Sequence, residues 1–208
     1  DVPAGWRVGA TGIRVGAETR AGRLVTRYRA DDVHDFAWVT APDLGLVSAR
    51  FGETEISILF PPGLARAARR QARVIVRAMA EFARRFGPYP YRTLTIVTPP
   101  GGAEGAGGME YPTLITTWAN WWTPAGLHFE DAVLVHEFGH QYFYGLCASN
   151  EFEEPWLDEG VTSWAEGVVM DALFGSRRSF VDLFGLRIGG TALNRASLAT
   201  RNVVDEPS

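Results

Sequence analysis

Val135-His136-Glu137-Phe138-Gly139-His140-Gln141 is the stretch on which the reading of this 208-residue chain turns. It lies within a helical pattern from His128 or Phe129 to about Tyr144. Its two histidines, four residues apart, therefore project from one helix face at a separation of about 6 Å. Two neutral imidazole nitrogens so placed can share one Zn²⁺. Glu137, beside the first of them, can bring its carboxylate to a water polarised by the metal and accept its proton. Chance explains the pattern poorly, since 4 His and 14 Glu in the chain predict about 0.005 occurrences of H-E-x-x-H. The alternative is two ordinary helix imidazoles hydrogen-bonded in a core.

Eighteen residues separate His140 from Glu159 in Pro155-Trp156-Leu157-Asp158-Glu159-Gly160, the start of a second helix expected over Pro155 to Phe174 and entered at its proline. Two such helices packed antiparallel return that carboxylate to the histidines. Two His, one carboxylate and an open fourth position describe catalytic rather than structural zinc. Cys147, a conceivable fourth ligand, lies past the helix end expected at Gly145 and reads as buried packing. A zinc-bound imidazole usually donates its other N–H to a carboxylate. Glu166, seven residues beyond Glu159, and Asp131, five before His136, are the candidates, with solvated helix charge as the alternative for both.

Upstream, 22–29, 35–40 and 53–60 alternate polar and apolar residues between turn signals and read as antiparallel strands. Pro62 to Phe86 reads as a long amphipathic helix ended by Gly87-Pro88. Tyr91 to Thr98 is an expected strand, Pro99 to Gly108 a glycine-rich loop, and Tyr111 to Thr117 an edge strand open to pairing with a peptide. Phe180 to Leu198 is expected to be helical. Strands first and helices last predict an α+β domain.

Composition agrees: 46% hydrophobic, 12% aromatic and 21% charged residues with one cysteine exclude disorder, a collagen-like repeat and a disulfide scaffold. No apolar run approaches the ~18 residues of a membrane span, and the first ten residues lack a signal-peptide pattern. The compartment stays open. A first residue other than Met and a polar end over 201–208 read as an excised or processed piece. The net charge of −4 conceals a segregation: residues 1–92 hold 15 Arg against 9 acids, whereas 93–176 hold 12 acids and no Lys or Arg. Such a region favours cations, either a metal ion or a substrate amine. The seven Arg between 66 and 85 read as a solvated helix face, so no nucleic-acid partner is expected. Trp118, Trp121 and Trp122 read as cleft lining or as core or interface packing.

With these residues in place, the chain resembles a gluzincin zinc aminopeptidase of the aminopeptidase N and leukotriene-hydrolase family. The resemblance rests on His136-Glu137-x-x-His140, on Glu159 in Trp156-Leu-Asp-Glu-Gly160, and on Gly107-Gly108-Met109-Glu110-Tyr111 about 26 residues upstream. It covers roughly residues 85 to 170. It implies a thermolysin-like catalytic domain holding one Zn²⁺ by His136, His140 and Glu159, with Glu137 as general base. Glu110 then anchors the free α-amine of a peptide substrate, with Gly107, Gly108, Met109 and Tyr111 along that peptide. Tyr111 stands where the family has Asn, which bears on side-chain preference. The family's oxyanion-stabilising Tyr lies downstream of its Glu ligand, whereas the six Tyr here all precede Glu159. The resemblance therefore implies the catalytic part of a longer polypeptide, with residues 1–45 ending an N-terminal β-domain and 46–208 forming the catalytic domain. N- and C-terminal domains of the parent would be its partners. The implied reaction is hydrolysis of an N-terminal peptide bond. A thermolysin-type zinc endopeptidase and an inactive catalytic-domain fragment or scaffold are the rival readings.

Overall fold

Alternating apolar residues in 54–60 and 93–97 build the sheet that carries the site. The computed structural model describes residues 1–150, 153–190 and 193. Its elements in chain order are β1 (Val2–Pro3), β2 (Arg7–Ala10), β3 (Ile13–Arg20), β4 (Arg23–Arg29), β5 (Trp38–Ala41), β6 (Gly45–Phe51), β7 (Thr54–Phe60), α1 (Ala65–Phe86), β8 (Thr93–Val97), β9 (Leu114–Thr116), α2 (Phe129–Phe143), α3 (Val161–Phe174), β10 (Val181–Leu183) and β11 (Leu186–Ile188). The expected α+β class holds. Strands β6-β7-β8-β9 form one sheet in that order, antiparallel between β6 and β7 and parallel thereafter. Parallel neighbours need a long crossover, and α1 supplies it between β7 and β8. The preceding strands make a three-stranded sheet, β1-β4-β3, and a β2-β5 pair.

One face of the four-stranded sheet, with Ile56, Ile58, Leu94, Ile96 and Ile115, packs against Ile75, Met79 and Phe82 of α1 and Leu134, Val135 and Phe138 of α2. The opposite face presents Leu59, Val97 and Leu114 to Val39 and Tyr111. Helix α2 is thus covered on nearly every side, and even its polar residues Glu137, His140 and Gln141 are buried. Gly139 makes this possible on the α3 side. A Cβ there would lie 2.9 Å from the Thr162 methyl, so only glycine lets α3 approach so closely.

Three expectations from sequence are corrected. Of the helix expected over Phe180 to Leu198, residues 181–188 are instead the β10–β11 hairpin, whereas Gly190 and Leu193 are helical as expected and 191, 192 and 194–198 lie outside the described residues. Phe184 and Gly185, at φ 50° and 86°, form a two-residue turn of the positive-φ kind that suits the twist of a hairpin. The edge strand shrinks to β9, because Pro112 and the left-handed Thr113 (φ 58°) make a turn closed by Leu114 N–H donating to the Tyr111 carbonyl. Asp131 does not orient a motif histidine. It lies on the other side of α2, bonded to Arg70 Nη2 at 2.6 Å and to His128 Nδ1 at 2.9 Å. Arg70 also donates to the carbonyls of Pro124 and Leu127, stapling α1 to the loop that leads into α2.

Removing one partner of such a buried pair leaves an uncompensated charge. Asp131→Ala is expected to lower unfolding stability by about 3 kcal/mol in denaturant titration. Zinc stoichiometry should be unchanged; a loss of zinc would return Asp131 to the metal site.

Candidate metal centre

Residues 156–160 open the second helix as a π-helical turn that runs on into α3. Such turns are rare, and here the wider turn directs two consecutive carboxylates, Asp158 and Glu159, toward α2. Contacts of His140 with Asp158 and Thr162, and of His136 with Glu166, show that the two helices run antiparallel.

His140 Nε2 lies 3.0 Å from His136 Nε2, and Glu159 Oε2 lies 3.2 Å from the latter and 3.9 Å from the former. These three lengths define a point about 2.0 Å from every corner, which is the length of a zinc–nitrogen or zinc–oxygen bond. The outer ring nitrogens explain the orientation. His136 Nδ1 is 3.1 Å from Glu166 Oε2, and His140 Nδ1 is 2.5 Å from Asp158 Oδ1 and 3.3 Å from Thr162 Oγ1. With each Nδ1 turned to a carboxylate, both Nε2 atoms face inward toward Glu159, the orientation in which two neutral imidazoles and a carboxylate would offer their lone pairs to one cation. The donor set therefore fits Zn²⁺. His140 is 1% exposed, whereas the Glu159 side chain is 61% exposed, so the triangle opens to solvent on the Glu159 side.

Charge deepens the fit. Burial opposes a proton on His136, but the hydrogen bond and charge of Glu166, with Glu137 and Glu159, push it up to about 9. His140 is driven down to about 4 by burial and by its charged neighbour His136. A metal ion bound there would take the place of the proton on His136. Glu137 is pushed up to about 8 by burial first, against the pull of His136, and then by Glu110, Glu159 and Asp158. Its Oε2 is buried without a hydrogen-bond partner among the described residues, a costly state for a group that would otherwise face water or substrate. Asp158 is raised to about 6 by burial and by Glu159.

The glycine-rich segment reaches the same space. A carboxylate oxygen of Glu110, a ring nitrogen of His140 and a carboxylate oxygen of Asp158 lie within 4.8 Å of one another. Gly108, at φ 80°, presents its backbone to Glu137, whose Oε1 would be 3.4 Å from a Cβ there. Met109 pairs with Thr116, exchanging hydrogen bonds of 3.5 and 2.8 Å, so the outer edge of β9 is covered at that point by the chain's own 107–110 segment. Pairing of a peptide with β9 at Thr116 is thereby excluded. Gly107 and Tyr111 flank the segment, both half-buried. Cys147 is exposed and belongs to no ligand group among the described residues, so its reading as buried packing is corrected. Trp118, Trp121 and Trp122 are at least 39% exposed and are not core. Sequence reasoning passed over Asp158, Thr162 and Gln141. The first was hidden because helical periodicity puts neighbouring residues on different faces.

A model of the peptidase family M1 domain matches residues 71–205. Aminopeptidase B of Rattus norvegicus and of Homo sapiens are each 32% identical over 103 residues, 50% of this chain and 15% of theirs. An M1 zinc metallopeptidase from Deinococcus radiodurans aligns over 99% of this chain and 44% of its own at 17% identity, with a TM-score of 0.67, and a point mutant of it aligns at 0.66. The chain thus spans a small part of the aminopeptidase B length and under half of that solved structure, whose likeness shows the shared fold.

Groups that orient a metal-binding imidazole are typically worth 10- to 100-fold in metal affinity. Asp158→Ala and Glu166→Ala are each expected to weaken zinc binding by roughly that factor in competition with a chromogenic chelator. Affinities within twofold of the parent would refute the orienting roles.

Proposed function

The chain belongs to peptidase family M1, and from that premise we propose that it is a zinc aminopeptidase removing single residues from peptides with a free N-terminus. The observation that carries this reading is that Glu110 and Glu137 border the same space as the His136–His140–Glu159 triangle. Bound by those three side chains, Zn²⁺ supplies Lewis acidity for the scissile carbonyl and its attacking water.

The remaining work falls to the chain's own residues. Glu137, buried beside the triangle, accepts a proton from the attacking water in its ionised form and passes it to the leaving amine. Glu110 binds the substrate ammonium by a charge-assisted hydrogen bond, so that cleavage follows the first residue. Gly107, Gly108, Met109 and Tyr111 run beside the peptide, and Gly108, without a side chain, keeps the backbone close to Glu137. The absence of Lys and Arg from 93–176 leaves the ammonium without a cationic competitor in that stretch. A thermolysin-type endopeptidase would use the same triangle but give Glu110 no role. All of these residues follow Gly45, which supports 46–208 as the catalytic unit and 1–45 as part of an N-terminal β-unit.

Glu137→Gln is expected to slow hydrolysis of an aminoacyl anilide by at least 100-fold while retaining zinc. Acetylating the substrate's α-amine is expected to abolish turnover by the unaltered protein. Equal turnover of free and acetylated substrates would leave the endopeptidase reading standing.

A further inference from the structure

Gln141, the residue after the second histidine of α2, is 1% exposed and commits its whole amide to the backbone of residues 110–113. Its Nε2 donates to the carbonyls of Glu110 at 3.0 Å and Tyr111 at 3.1 Å, and its Oε1 accepts from Thr113 N–H at 2.8 Å. Thr113 is the strained point of that turn. A β-branched residue at φ 58° stays left-handed only where its surroundings enforce it. Here the enforcement is threefold: its N–H is held by Gln141, its carbonyl accepts from Thr95 N–H at 2.8 Å, and its hydroxyl accepts from Gly12 N–H at 2.7 Å. Of these ties, only the one to Gln141 runs to the helix that carries His136 and His140. The others fasten the turn to β8 and to the loop after β2.

We propose that Gln141 is a positioning residue: it latches the strained Tyr111–Thr113 turn to the metal-binding helix and so sets the distance between the Glu110 carboxylate and the metal centre. This inference rests on the reading of Glu110 as the amine anchor. Without the amide, the Glu110 carbonyl and the Thr113 N–H lose their bonds to α2, and the Tyr111 carbonyl keeps only the Leu114 N–H of its own turn. The turn, still tied to Thr95 and Gly12 but no longer to α2, then shifts against the metal-binding helix, carrying Glu110 away from the place where a substrate amine meets it. The metal ligands themselves stay put, because Asp158, Thr162 and Glu166 hold the histidines independently of Gln141.

The test uses the zinc-loaded chain and two probes, leucine hydroxamate, which chelates zinc and presents a free α-amine, and its N-acetyl derivative. Calorimetry gives the ratio of their affinities, and metal analysis gives zinc content. For Gln141→Met, of similar length but without the amide, the free-amine preference is expected to fall roughly tenfold, the scale of a charge-assisted contact. Zinc content and the affinity of the acetylated probe are expected to stay within about threefold. An unchanged ratio, or equal weakening of both probes, overturns the latch. Should the Met variant fail to fold, Gln141→Asn, which keeps the amide but shortens its reach, is read by the same ratio with the same outcomes. Glu110→Gln separates the two readings. Collapse of its ratio beside an unchanged ratio in the Gln141 variant defeats the latch alone, whereas an unchanged ratio in Glu110→Gln defeats the anchor and the latch with it.

Discussion

The close antiparallel approach of α2 and the 156–174 helix is the constraint on which the site depends. It is set where Gly139 meets the Thr162 methyl, a contact that any side chain at 139 would obstruct. At that separation each imidazole of α2 reaches a carboxylate of the other helix with its outer nitrogen and Glu159 with its inner one. A wider spacing would open the three-atom triangle beyond zinc's reach and unseat both orienting hydrogen bonds. Packing and chemistry share one determinant.

The same approach concentrates like charge. Glu110, Glu137, Asp158, Glu159 and Glu166 gather around two imidazoles in a region that contributes no Lys or Arg. Burying so many carboxylates together is unfavourable unless cations enter. The same crowding of carboxylates raises His136 and, together with burial, Glu137. On the far side of α2 the balance is opposite, and Arg70 neutralises Asp131. One helix thus separates a cation-seeking face from a self-compensated one.

Much of this was legible in the residues. The spacing of His136, Glu137 and His140, the return to Glu159 and its partner Glu166 all follow from a period of 3.6 residues on two helices. The placing of Asp131 did not. A residue five positions before His136 lies well around the helix, and what faced it was decided by α1, more than 50 residues earlier in the chain. Asp158 was overlooked because a π-helical turn changes the phase that a regular helix would impose. The 181–188 hairpin was misread as helix because its strands are three residues each, too short for alternation to outweigh the expected helical continuation.

The sequence by itself determined which side chains can do the chemistry, since ligand types, their order and the helical repeat are local properties of the chain. Tertiary structure decided which carboxylate steadies each imidazole and how the amine-binding turn is held. Those depend on Gln141, Thr113, Thr95 and Gly12 meeting across as many as 101 residues of chain. The reason is physical: a hydrogen bond is decided within a few tenths of an ångström, and only the packed sheet and helices fix distances between remote segments so closely.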